Sequence, residues 1–141
     1  MSVTSAVARL RAHPALLPGL VGVLGAASLV YVSLSDPNEA GHYPMCPWLA
    51  LTGTYCPGCG SLRMLHAFTH GQFAHGFGLN PLAAVIFAWA GVEYARWTRA
   101  AVTGRDYAMW PRYRYWPLVV AAVIVVYWVV RNLPFGAALA P

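Results

Sequence analysis

Three long apolar stretches alternate with shorter polar ones along the chain. Residues 15–34 hold twenty consecutive positions without a charged side chain, and about twenty apolar residues of helix cross the hydrocarbon core of a bilayer. A second stretch, at about 79–97, begins with Asn80 and Pro81, which are residue types that start helices. A valine-rich third stretch occupies about 115–131. The pattern predicts an all-α membrane protein with about three transmembrane helices.

Composition supports a lipid environment for the whole chain, 1–141, as one membrane domain. Hydrophobic residues make up 59% of the chain and charged residues 9%, whereas soluble domains carry about 25% charged residues. The net charge of +5 comes without a charged stripe interleaved with aromatic residues, so we expect no nucleic-acid partner. Arg112 and Arg114 alternate with tyrosines, which suits an anionic lipid surface. We expect membrane lipid as a partner, with another membrane protein as a further candidate.

The positions of the arginines predict the orientation of the chain. Arg9 and Arg11 precede the first span, and most other arginines lie around the connection between the second and third spans. The first connection contains only Arg63. Because positive residues are retained in the cytoplasm, we expect a cytoplasmic N-terminus and an extracytoplasmic first connection. Cleavage of residues 1–27 as a signal peptide stays open, although the apolar run is longer than the core of such peptides.

The first connection, residues 42–71, contains all three cysteines. Cys46 is followed ten residues later by Cys56, Pro57, Gly58 and Cys59. Proline suits a first helical turn and glycine a C-terminal cap, so we predict a helix from Pro57 to His70 that ends at Gly71.

One face of this predicted helix carries a polar stripe. At 100° per residue, Cys59, Arg63, His66 and His70 lie on one side, opposite an apolar arc. Because a helix with these polar side chains is a poor bilayer span, we expect it to lie in the membrane interface.

The first interpretation of the cysteines is structural. On the oxidising outer side, two of them form a disulfide and the third packs or pairs with a partner. The stapled segment then presents Arg63, His66 and His70 to a partner molecule. This interpretation assigns no catalytic residue and no cofactor, and it makes the protein a structural or partner-binding membrane component.

A second interpretation is thiol-disulfide exchange. Cys56 and Cys59 form a Cys-x-x-Cys pair, and a helix N-terminus together with Arg63 favours a thiolate. Against this interpretation, the chain lacks the alternating strands and helices of thioredoxin-like proteins.

A third interpretation is a zinc or other transition-metal site. The candidate ligands are Cys46, Cys56, Cys59, His42, His66 and His70. Four of these thiols and imidazoles would complete a tetrahedral zinc site. Against it, Arg63 lies between the thiols and the histidines on the stripe, and a guanidinium group repels a divalent cation.

The combined motifs resemble a known family. They are Cys46-Pro47, Cys56-Pro57-Gly58-Cys59-Gly60, Arg63, Gly71 and Asn80-Pro81. This pattern is similar to that of a bacterial membrane-protein family called domain of unknown function 2752. The resemblance implies a small multi-pass protein of the bacterial inner membrane, without an established activity. The chain has Leu62 where a threonine often precedes the arginine in that family.

Overall fold

The described part of the chain is all α-helical. The computed structural model describes residues 13–39, 41, 43–108 and 114–140. Within these ranges the α-helices are α1 (Leu16–Leu34), α2 (Pro47–Thr52), α3 (Ser61–Thr69), α4 (Phe73–Leu79), α5 (Pro81–Thr103) and α6 (Trp116–Arg131), followed by a 3-10 helix (Pro134–Leu139). The predicted all-α class is therefore confirmed for these residues. The predictions for Arg9, Arg11, His42 and Arg112 concern residues outside the described ranges.

One described helix, α1, is by itself long and apolar enough to cross a membrane. The pair α4 and α5 meets the same criterion only when the two helices count as a single segment, which bends by 115° between them. Helix α6 is apolar but shorter, with 16 residues. The described helices therefore agree with the positions of the three predicted spans, but three transmembrane helices are not confirmed.

The helix of the first connection starts later than predicted. We expected it to begin at Pro57, but residues 57–60 form turns and α3 begins at Ser61. Gly60 precedes it with a φ of +86°, a left-handed conformation that glycine adopts without a steric penalty. The predicted end is confirmed, because α3 stops at Thr69 and Gly71 follows with a φ of +75°.

A small apolar core forms where α3, α4 and the start of α5 meet. Met64 is fully buried and packs with Ala83 and Ala84. The close approach of α4 to α3 depends on Gly76, since a Cβ atom there would lie 2.3 Å from the ring of Phe68. This core fixes the end of the cysteine-bearing turn that leads into α3.

Candidate functional site

Three thiols converge at the turn before α3. The Sγ atoms of Cys56 and Cys59 are 3.2 Å apart, and those of Cys46 and Cys56 are 3.6 Å apart. All three Sγ atoms lie within 4.8 Å of one another. Cys46 reaches the other two because α2 ends at Gly53, whose φ of +69° lets the chain turn back. Three sulfur ligands from two separate segments are thus brought to one point.

The thiols are close but unbonded. Cys46, Cys56 and Cys59 are all free cysteines in the structure, and their separations exceed the roughly 2.05 Å of a disulfide. The structure therefore does not support the disulfide that the sequence led us to expect.

The side chain of Asn80 binds the backbone of the turn that carries Cys56 and Cys59. Its side chain is fully buried, and its amide donates to the carbonyl oxygens of Pro57 (2.9 Å) and Cys59 (3.0 Å). Its Oδ1 accepts from the backbone N–H of Ala83 and from the hydroxyl of Tyr127. The bond to Ala83 is the helix cap that the sequence predicts for Asn80, and Pro81 follows as the first residue of α5. The two bonds to the turn give Asn80 a second role that sequence reasoning did not find.

Arg131, at the end of α6, hydrogen-bonds to the backbone of the same turn. Its side chain is 1% exposed, and its guanidinium group donates to the carbonyl oxygens of Cys56 (2.9 Å), Pro57 (3.3 Å) and Cys59 (3.2 Å). The guanidinium carbon lies 5.1 Å from the ring centroid of Tyr127. The sequence signal for this role is a lone arginine at the end of an otherwise apolar helix, because a charge in such a place is costly without a partner.

The three thiols have different proton affinities. N–H groups at the start of α2, chiefly that of Leu49, lower the pKa of Cys46. Burial, followed by a hydrogen bond with Cys56, raises the pKa of Cys59 to about 12. The thiolate that the structure favours is therefore that of Cys46, rather than that of Cys59 next to the helix start.

A cavity of about 320 Å³ opens beside the thiols. The side chains that line it include those of the three cysteines, Tyr43 and Arg63. Arg63 is exposed, and the hydroxyl of Tyr43 is buried with no hydrogen-bond partner in the part of the chain that the structure describes. Burial also raises the pKa of Tyr43, so the hydroxyl keeps its proton at neutral pH and is a donor. The cavity thus combines sulfur ligands, a cation and an unused donor.

The polar stripe divides into two parts. Arg63 lines the thiol cavity, whereas His66 bonds through Nδ1 to the carbonyl oxygen of Val32 in α1 (2.8 Å) and lies 3.9 Å from Asp36. His70 stacks on His66, with ring centroids 4.3 Å apart. Among the described residues, the cluster that could hold a metal ion contains only the three cysteines. His66 therefore contacts α1, His70 packs on His66, and neither histidine belongs to the thiol cluster.

Fold and site define a small helical protein with a cluster of three thiols. Two buried side chains, Asn80 and Arg131, bind the backbone of the turn that carries two of these thiols. Residues 46–94 match the model of a family described as "Protein of unknown function (DUF2752)", which confirms the resemblance seen in the sequence. The matched segment includes the three cysteines, Arg63 and Asn80 but not Arg131. No curated protein and no solved structure matches the chain significantly.

Proposed function

We propose that the protein is a small multi-pass membrane protein whose extracytoplasmic segment binds a transition-metal ion through Cys46, Cys56 and Cys59. The observation that carries this proposal is the mutual approach of three unbonded Sγ atoms within 4.8 Å. In a tetrahedral zinc-thiolate site with Zn–S bonds of about 2.3 Å, neighbouring sulfurs are about 3.8 Å apart. The separations of 3.2 Å and 3.6 Å are close to this spacing.

Charge also favours a metal-thiolate centre. Arg63 opposes a bare divalent cation, but three thiolates around one Zn²⁺ leave one net negative charge. The guanidinium groups of Arg63 and Arg131 then stabilise the loaded site. The clamp formed by Asn80 and Arg131 supports it further, because it holds the turn in place before the metal arrives.

Exposed apolar surface supports membrane residence. Only 11% of the most apolar window of α1 is buried inside the protein, whereas the core helix of a soluble protein is mostly buried. Large apolar side chains are exposed on three helices, among them Leu20, Val23, Leu24 and Val30 on α1, Val85 and Val92 on α5, and Leu118 and Val126 on α6. We assign lipid as the partner of these surfaces, with the orientation given by the arginines.

Metal titration of the full chain in detergent micelles tests the proposal. The reduced protein is titrated with Co²⁺ and Zn²⁺ without oxygen, and we expect one ion per chain with a sulfur-to-cobalt charge-transfer band. Replacing Cys46, Cys56 or Cys59 by serine should lower the affinity beyond the roughly 10–100-fold that even outer-shell changes cost. His66→Ala and His70→Ala are the controls and should bind the ion as tightly as the unaltered chain. A reduced chain with three free thiols that binds neither ion refutes the proposal.

Thiol-disulfide exchange is the second candidate, and the 3.6 Å separation of the Cys46 and Cys56 sulfurs favours it, with Cys46 in place of the Cys59 predicted from the sequence. The Cys46 thiolate attacks a disulfide of a partner protein, one partner sulfur leaves as a thiolate, and Cys56 then displaces the other. The partner gains two electrons, and Cys46 and Cys56 are left as a disulfide. Titration against glutathione redox buffers distinguishes the two candidates. A reversible two-electron transition supports exchange, and its absence in a chain that binds metal excludes it.

A further inference from the structure

The thiol cavity carries two groups that a metal ion does not use. Among the described residues, the hydroxyl of Tyr43 is buried without a hydrogen-bond partner, and both Tyr43 and Arg63 line this cavity. A guanidinium group and a phenolic hydroxyl are both donors that suit a carboxylate, and arginine binds carboxylates in a bidentate way. The lining of the cavity therefore includes the chemistry of an anion site.

The same cavity is also lined by Cys46, Cys56 and Cys59. Three protein ligands with an exchangeable fourth position are typical of zinc sites at which an external molecule binds the ion. The volume of about 320 Å³ lies at the lower end of the range of small-molecule pockets, which begins at about 300 Å³. The cavity thus has room for a small ligand beside both sets of lining groups.

We propose that the metal-loaded cavity binds a small thiol that bears a carboxylate. Its thiolate takes the fourth position on the ion in place of a water molecule, and its carboxylate accepts hydrogen bonds from Arg63 and Tyr43. The thiol proton goes to solvent and no electrons are transferred. This inference rests on the proposed metal site and names the ligand class of that site.

Three small molecules of similar size test the sulfur–metal bond and the carboxylate contact separately. The full chain in micelles is first saturated with Co²⁺ and then titrated, without oxygen, with 3-mercaptopropionate, 2-mercaptoethanol or propionate. We expect the charge-transfer band to grow with both thiols, and 3-mercaptopropionate to bind about 10–100-fold more tightly than 2-mercaptoethanol, as a charge-assisted pair predicts. Propionate should leave the band unchanged and bind more weakly than 3-mercaptopropionate.

Substitutions test whether Arg63 and Tyr43 bind the carboxylate of the ligand. In the cobalt-saturated protein, Arg63→Gln and Tyr43→Phe should weaken 3-mercaptopropionate and leave 2-mercaptoethanol unaffected, while Arg63→Lys restores part of the loss. Tyr31→Phe is the matched control, because its ring packs on Tyr43 (centroids 6.1 Å apart) but does not line the cavity. It should behave like the unaltered chain.

The failures of the two proposals are distinguishable. If cobalt binds but neither thiol changes the band, the ligand proposal is overturned and the metal site stands. Equal affinity for both thiols, or no effect of Arg63→Gln, overturns the carboxylate contact. Equal binding of propionate and 3-mercaptopropionate overturns the sulfur contact. A chain that binds no cobalt overturns the proposed function itself.

Discussion

Asn80 and Arg131 donate hydrogen bonds to the same two carbonyl oxygens, those of Pro57 and Cys59. Asn80 starts α5 and Arg131 ends α6, so two helices that carry no cysteine fix the turn that carries two. The position of the thiols is therefore coupled to the packing of α5 and α6.

Replacing Asn80 by alanine should destabilise the protein strongly. The substitution removes the cap on Ala83 and leaves buried carbonyl oxygens with fewer donors, and we expect the free energy of unfolding to fall by about 2–4 kcal/mol. Denaturation in micelles, followed by circular dichroism, measures it. Tyr127→Phe is the control, because it removes only the hydroxyl that bonds to Asn80 Oδ1 at 3.0 Å and should cost about 1 kcal/mol. Equal losses for both variants would contradict a central role of Asn80.

Two substitutions of Arg131 distinguish the effect of its charge from the effect of its hydrogen-bonding geometry. Arg131→Met removes the charge next to the cysteine turn and should lower metal affinity by about 10–100-fold. It should also move the midpoint of metal binding to higher pH, because the thiolates lose a nearby cation. Arg131→Lys keeps the charge but not the planar fork, so we expect reduced affinity with an almost unchanged midpoint. Both quantities come from cobalt titrations between pH 5 and 9, and identical midpoints for the two variants would contradict the electrostatic role.

Local chemistry made parts of this site predictable. Asparagine followed by proline marks a helix start wherever it lies in the fold, and Asn80 caps α5 as expected. The helix start at Pro57 was wrong because Gly60 adopts a left-handed conformation that ends the turn first. Pro57 is compatible with a helix start, but it does not reveal that residues 57–60 form a turn instead.

Partners that are distant in sequence could not be predicted in the same way. Arg131 bonds to backbone carbonyl oxygens of the cysteine turn, and a carbonyl oxygen leaves no residue-specific signal in the sequence. The helical period predicts one stripe of Arg63, His66 and His70, but in the structure Arg63 lines the thiol cavity, whereas the packing of α1 against α3 lets His66 bond to Val32. The neighbouring helix that each side chain meets was therefore not readable from the sequence.

The raised pKa of Cys59 predicts that the metal-free protein loses stability at alkaline pH. The folded state holds the Cys59 proton up to a pKa of about 12, whereas the ordinary value is 9.0. The contribution is complete below pH 9 and is lost as pH rises towards 12, so the free energy of unfolding should fall with increasing pH in this range. Chemical denaturation between pH 8 and 10.5 measures this slope.

Cys59→Ser provides the reference for that measurement, because tyrosines titrate in the same range. The free energy of unfolding is measured against pH for the unaltered chain and for Cys59→Ser. The difference between the two slopes gives the contribution of the Cys59 thiol. Cys46→Ser should change the slope in the opposite direction, since the pKa of Cys46 is lowered in the folded protein and its ionisation therefore stabilises the fold as pH rises towards 9. Parallel curves for all three chains would contradict the assigned order of thiol ionisation.

Two glycines of α4 should respond oppositely to substitution by alanine. At Gly76 an added Cβ atom would meet the Phe68 ring at 2.3 Å and the carbonyl oxygen of Met64 at 3.2 Å, so α4 must move away from α3. We expect Gly76→Ala to cost about 1–3 kcal/mol, as overpacking does. At Gly78 the added Cβ would meet no atom of the other described residues within 4 Å, apart from its chain neighbours and the backbone of its own helix, and alanine should stabilise the helix by up to about 1 kcal/mol.

The same pair tests whether the core supports the thiol cluster. Phe68 and Met64 belong to α3, which continues directly from the turn of Cys56 and Cys59, so a displaced α4 disturbs the end of that turn. Gly76→Ala should therefore weaken cobalt binding, whereas Gly78→Ala should leave it unchanged. If Gly76→Ala loses stability but binds cobalt normally, the turn is held by Asn80 and Arg131 alone, and the α3–α4 core has no part in positioning the thiols.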